Sequence, residues 1–221
     1  MATGPLSSSN ARRPWRGVEA GERQARRREQ LVGAAFAIMG AEGAAAVTMR
    51  GVCRAAKLTE RYFYESFGRR EDVLVAVLET VAGQAGAVLE QALDEAPPDT
   101  PELVRHAVKA FTEFVTADPR RGRVLFVESL AAPELANRGA ELVERFTATI
   151  ARALRGPALG GPDADADDVE LNAQAVFGAL AYLYQSWLAG RAKVGRERFA
   201  EHVAQVIEQV AKATSQPSRS G

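Results

Sequence analysis

The chain has 221 residues, 47% hydrophobic and 25% charged, with 28 basic and 28 acidic side chains, two histidines and one cysteine. That length and balance exclude a chain disordered throughout and suit one sizeable core or two small ones. Cys53 has no partner for an internal disulfide and forms no clustered metal-ligand spacing with His106 or His202, so neither a metal nor a cofactor is expected.

Absent motifs narrow the class further. There is no GxSxG elbow, no GxxxxGK[ST] phosphate loop and no GxGxxG after a strand, and Gly160-Gly161 lies among prolines and aspartates as a loop would. Asp163, Asp165, Asp167 and Asp168 lack the spacing and terminal glutamate of an EF-hand. No catalytic residue is expected. The most apolar run, residues 173–188, is interrupted by Gln174, Gln185 and Ser186 and is shorter than the roughly 20 residues a bilayer requires. With no charged-then-apolar leader in view, a cytoplasmic protein without a membrane partner is expected. Charge is balanced overall but uneven along the chain: residues 1–75 hold 13 basic against 8 acidic side chains, the remainder 15 against 20. The split favours docking of the N-terminal part on a phosphate backbone.

In chain order, residues 1–20 carry Pro5, Ser7-Ser8-Ser9 and Arg12-Arg13-Pro14 without an apolar period. They read as a flexible basic arm, either a solvated tail or a segment reaching a minor groove. Leu31, Ala34, Ala35, Ile38 and Met39 recur at helical spacing and predict a first helix over residues 22–41, ended by Gly43. Thr48 stands where a hydroxyl N-cap belongs, followed by a predicted buried stripe of Val52, Ala55 and Ala56 with Arg50, Arg54 and Lys57 outside. Cys53, on this packed helix, reads as a structural thiol. After a turn at Lys57-Leu58, Thr59 is a second hydroxyl cap for a helix of one to two turns that buries Phe63 and presents Glu60, Arg61 and Tyr62. Phe67 offers an apolar anchor, Gly68 a turn, and Arg69-Arg70-Glu71-Asp72 opens the next helix. Two short helices around a tight turn, the second presented outward, form a helix-turn-helix, the unit that delivers a short helix to a DNA groove.

Beyond it, helices are predicted over residues 72–92, 102–117, 120–130, 134–154, 168–192 and 195–213. Breaks fall at Pro97-Pro98-Asp99, Asp118-Pro119, near Pro133 and in a surface loop over residues 156–168 that ends in an acidic helix cap, and a polar tail covers residues 215–221. No segment shows a trustworthy period of two, so the fold class is all-α. Phe177, Leu180, Tyr184, Trp187 and Leu188 form one stripe, and Ala175, Ala179, Tyr182 and Leu183 widen it beyond what one monomer face requires. The last helix repeats the spacing with Phe199, Val203, Val206, Ile207 and Val210.

Arg28-Glu29-Gln30-Leu31, Ala34-Ala35-Phe36, Gly43, Val47-Thr48-Met49, Tyr64, Phe67 and Arg70-Glu71 together resemble the DNA-binding signature of TetR/AcrR-type transcriptional regulators, over about residues 26–78. Departures fall at Lys57, where the family has glycine and which escapes left-handed geometry only if its φ stays negative, at Arg61 and Tyr62 in the reading helix, and at Arg70, where lysine is usual. The resemblance implies an N-terminal three-helix helix-turn-helix domain over residues 21–70 and a C-terminal helical bundle for ligand binding and dimerisation over residues 71–214. It implies a ligand-responsive regulator, most simply a repressor, that binds a palindromic DNA operator as a homodimer and is released by a small, largely apolar effector. The alternative is a helical ligand-binding or interaction protein with little DNA affinity.

Arginine is the common reader of guanine, so Arg50, Arg61 and with them Tyr62 are candidates for base edges. Glu60 suits either a cytosine amine or a plain helix start. Thr48, Thr59, Tyr64, Ser66 and Arg70 have donors suited to phosphate at positions where the family makes such contacts. For Tyr62 and Tyr64 the alternative is packing against Phe63 and Phe67. The pocket that the resemblance implies would draw its walls from Phe111, Phe114, Phe126, Phe146, Phe177, Tyr184 and Trp187, with His106 and Gln185 as polar handles. The last two helices would form a four-helix interface with their copies, the alternative being a closed monomeric bundle.

Overall fold

The computed structural model describes residues 15–95, 100–156, 159 and 164–214. Residues 1–14 of the expected arm, the tail over 215–221, the Pro97-Pro98-Asp99 break and much of the expected surface loop lie outside the described residues. Every regular element described is helical, as the sequence predicts.

Helix α1 (Trp15–Glu42) starts within the expected arm, because the stretch after Pro14 holds no further proline and is rich in Arg, Glu, Gln and Ala, which favour a helix. Its 28 residues span about 42 Å. Leu31, Ala35 and Met39, spaced by four, are fully buried, with Ala34 and Ile38 packed beside them. The helix ends at Gly43, whose φ of 98° is open to glycine at little cost. A short 3-10 turn (Ala44–Ala46) then leads to α2 (Met49–Ala56), α3 (Glu60–Ser66) and α4 (Arg70–Glu95). Thr48 caps α2 as expected, its hydroxyl accepting from the Gly51 N–H at 3.1 Å. Thr59 occupies the N-cap position of α3 but makes no side-chain cap bond. The buried stripe of α2 is Val52 and Cys53, not Val52 and Ala55: Ala55 faces solvent and Ala56 is half-buried. Cys53 and Ala55 lie on opposite sides of Val52, about 160° apart around the helix, so a core facing the arc from Val52 to Cys53 leaves Ala55 outside.

In the first turn of α4 the Asp72 carboxylate accepts from the Gly68 and Arg69 N–H groups at 3.0 and 3.1 Å. By length and composition the helix is apolar enough to cross a bilayer, but 44% of that apolar window is buried inside the protein. Val73, Leu74 and Val77 pack with α1 to α3, and Val81, Ala82, Ala85 and Ala92 continue into the bundle. One continuous core therefore runs through both parts of the molecule.

The bundle comprises α5 (Thr100–Ala117), α6 (Pro119–Arg123), α7 (Ser129–Ala131), α8 (Ala136–Leu154), α9 (Ala166–Leu188) and α10 (Arg196–Thr214). Asp118 caps α6, with Pro119 at its first position. The single helix expected over residues 120–130 is instead α6, a π-helical segment (Val124–Glu128) and α7, followed by a 3-10 turn (Pro133–Leu135) that caps the approach to α8. Gly122 lies directly under Leu188 of α9, where a Cβ would come within 2.6 Å of the leucine Cδ1, so any larger residue requires that side chain to shift. Asp165, rather than Asp168, caps α9, accepting from the N–H groups of Asp167 and Asp168.

Candidate nucleic-acid interface and effector cavity

Helices α2 and α3 are joined through Lys57, the only described residue other than glycine with positive φ, at 56° with ψ 37°. The position the family gives to glycine thus keeps its left-handed backbone here despite a Cβ. Its N–H closes the end of α2 on the carbonyls of Arg54 and Cys53. The turn sets α3 with Phe63 buried and Tyr64 60% exposed. Phe67 anchors the far end of α3 and packs on Phe63 at 5.6 Å between ring centroids.

Of the expected DNA-contacting residues, Thr48, Arg50, Thr59, Glu60, Arg61 and Tyr64 are exposed. Arg50 Nε lies 3.3 Å from Glu60, and Arg61 Nε 2.9 Å from Glu65. Both arginines are well exposed, and exposed pairs of this kind contribute at most about 1 kcal/mol. They hold the guanidinium groups outward and exchange readily for an anionic partner. Tyr62 is half-buried with the Arg27 guanidinium 4.4 Å above its ring. Gln24 and Arg27, which periodicity did not single out, hold α1 against α3: the Gln24 amide donates to the Glu65 carbonyl at 3.2 Å, and Arg27 lies 3.8 Å from the Glu65 carboxylate.

Two expected phosphate contacts are turned elsewhere. Ser66 Oγ is buried without a hydrogen-bond partner. Arg70 donates from Nε to the Val47 carbonyl at 2.6 Å, from Nη2 to the Ala44 carbonyl at 2.6 Å and from Nη1 to Glu134 at 2.8 Å. It ties the α1–α2 connection to α4 and to the turn before α8. The same connection is gripped a second time from the bundle. Glu128, buried at the end of the π segment, accepts from the Ala44 N–H at 2.8 Å and from Arg123 Nε at 3.0 Å, while Arg123 Nη1 donates to the Ala41 carbonyl at 2.8 Å. A Cβ on Gly43 would lie 3.2 to 3.3 Å from both side chains. No sequence pattern announces these partners, which lie more than 80 residues apart.

The opposite side of the π segment faces a cavity of about 230 Å³ among α4, α5, α8, α9 and α10. Leu125 and Phe126 form its wall there, close in sequence to Glu128. Phe111, Phe126, Phe146, Phe177 and Tyr184 line it as expected. The Tyr184 ring stacks on Phe126 at 5.3 Å and meets Phe111 edge-on at 5.1 Å. Its hydroxyl points to Thr112 at 2.6 Å, and burial, partly offset by that bond, pushes the phenol far above its ordinary range. Phe114 and Trp187 are not in the wall. Phe114 lies beneath the Arg121 guanidinium at 4.5 Å, and Trp187 stacks on Phe199 at 4.2 Å and donates to the Val194 carbonyl. Nor do His106 and Gln185 reach the cavity. Cys53 is buried, and desolvation reinforced by Glu60 raises its thiol above the ordinary value, which suits an inert core thiol. No cluster of metal-ligating side chains occurs among the described residues.

Residues 31–77 match the sequence profile of the family described as bacterial regulatory proteins, tetR family. No curated protein matches the chain. Among solved structures, the fatty acid degradation regulator FadR of Bacillus halodurans is 18% identical with a TM-score of 0.64, the match covering 88% of this chain and 97% of that one. FadR of Bacillus subtilis, in complex with stearoyl-CoA, is 16% identical with a TM-score of 0.67, covering 82% of this chain and 98% of that one. A TetR-like transcriptional regulator from a Rhodococcus species is 19% identical with a TM-score of 0.61, covering 84% and 93%. At these identities the likeness establishes the fold of the whole chain, and the profile match identifies its head. Residues 31–77 thus carry the profile of the tetR family, and the chain shares the fold of these solved regulators.

Proposed function

We propose that this regulator is a ligand-responsive repressor that binds a palindromic operator as a homodimer and leaves it when a small molecule fills the bundle cavity. The observation that carries the reading is the segment from Arg123 to Glu128: Leu125 and Phe126 line the cavity, and Arg123 and Glu128 hold the connection that carries the helix-turn-helix. A ligand shifts the equilibrium between a DNA-bound and a free arrangement only through its differential affinity for the two. A wall shared between cavity and head supplies such a difference, because occupancy that moves Phe126 also moves Glu128.

At the head, Arg50 and Arg61 are the base-reading candidates, with Thr48, Thr59 and Tyr64 on the phosphates and Glu60 at the groove edge. Arg70 braces the head instead, and Ser66 Oγ is buried. The stearoyl-CoA complex of the B. subtilis neighbour supports a small molecule in a bundle of this shape. Gel shift on the DNA flanking its own coding region, repeated at rising salt, tests the reading. A specific complex whose affinity falls steeply with salt is expected, with Arg61→Ala weakening it by about tenfold or more and relaxing preference at one base position. A complex absent at all salt concentrations leaves the helical ligand-binding alternative.

A further inference from the structure

The cavity has a chemical selectivity of its own, and the ligand class inferred from it rests on the reading of this space as the effector site. Among its described lining residues none is charged, and the hydroxyls at or behind the wall are bonded within the protein. Ser129 Oγ donates to the Leu125 carbonyl at 2.5 Å, and Thr149 Oγ1 to the Arg145 carbonyl at 3.1 Å. Thr112 donates to the Val108 carbonyl at 2.7 Å, which leaves Tyr184 as the donor in the bond between their hydroxyls, so the tyrosine proton is also committed. An ionised group entering this space would lose its water and find no counter-charge, which strongly disfavours it. A charge kept at the rim, where Leu130 is exposed, would hold the carbons next to it outside and so give up part of the buried chain.

Size and shape narrow the ligand further. A hydrocarbon-lined cavity of about 150 Å³ holds one benzene ring, so by proportion this one, at about 230 Å³, holds roughly nine carbons. On α4 the wall residues run from Leu78 to Leu93 as one stripe, about 22 Å of helix, and on α8 they run from Gly139 to Leu154. The space follows the helix axes and is elongated. We infer that the effector is an uncharged, elongated, hydrocarbon-rich molecule of about nine carbons, and that the site selects against the carboxylate and ammonium of the same chain.

The test uses the full-length protein and straight-chain probes of six to fourteen carbons, each as the 1-alcohol, the carboxylate and the primary amine, with binding read by calorimetry at pH 7.5. Alcohol affinity is expected to rise about fourfold per methylene and to level off near nine carbons. Carboxylate and amine are expected to bind at least tenfold more weakly at equal length. Ala181→Leu, which narrows the cavity, should weaken nonan-1-ol by tenfold or more, and Phe146→Ala, which widens it, should move the preferred length upward by two or more carbons. Carboxylate or amine binding equal to or tighter than the alcohol overturns the inference, as does affinity that ignores chain length or a Phe146→Ala protein whose preferred length is unchanged. DNA release is measured separately with the same alcohols: binding without release leaves this selectivity standing and removes the switch proposed above.

Discussion

Lys57 holds a backbone conformation that costs a side-chain-bearing residue about 1–2 kcal/mol, and it does so at the turn that aims the reading helix. Nothing packs against the strain to require lysine there, since the side chain is exposed. Lys57→Gly is therefore expected to raise stability by about 0.5–1 kcal/mol, less than the full strain because glycine also frees the unfolded chain. A denaturant midpoint that rises without a change in slope checks it. Arg70 presents the opposite case: its sequence position reads as a surface cation, yet its guanidinium satisfies two backbone carbonyls and Glu134. Arg70→Ala should cost about 2–3 kcal/mol while leaving the salt slope of DNA binding unchanged, which a phosphate contact would lower by about one. Thr48, Phe63 and Phe67 were legible because a cap and a short helical period involve near neighbours. Arg70 was not, because its partners lie 23, 26 and 64 residues away.

The helices themselves were largely readable from spacing, and the exceptions have physical causes. A π segment inserts one residue per turn beyond the α period, so periodicity over residues 120–130 averages across it and predicts one helix where the chain makes three segments. That insertion places Glu128 toward Ala44 while Leu125 and Phe126 keep the cavity wall. Glu128→Ala leaves the Ala44 N–H and Arg123 without this partner and should cost about 2 kcal/mol. Its sharper effect is on coupling: effector binding should persist while its influence on DNA affinity falls, seen by titrating DNA with and without the bound effector. The contact between α4 and the turn before α8 responds to pH. The Arg70 hydrogen bond holds the Glu134 carboxyl below the ordinary carboxylate range. Because the folded pKa lies below the unfolded one, this contribution is complete above the unfolded value of about 4.5 and is lost as pH falls through the lowered pKa. Thermal melts between pH 3 and 6 should show a decline on the acid side of that window that Glu134→Gln makes shallower.

For the molecule as a whole, α4 joins a basic head to an acidic bundle through one continuous core. The outer face of α9 still carries apolar groups that this core does not cover: Leu171 is 63% and Tyr182 65% exposed, with Ala175 also on the surface. As the dimer reading requires, Leu171→Asp with Tyr182→Glu should give a folded monomer by sedimentation at micromolar concentration, with DNA affinity lowered by at least a hundredfold because two half-sites are no longer read together. An unchanged mass would remove this face from the interface. The all-α class and the helix-turn-helix were already present in capping residues and apolar periods, since these reflect interactions between residues three or four apart. Which polar side chains stay exposed on the head and which brace it, and which aromatic rings wall the cavity, depended on partners distant in sequence. Phe111 and Phe114 share one helix and one spacing, and only the packing of α9 and the π segment against α5 put the first in the cavity wall and left the second under Arg121.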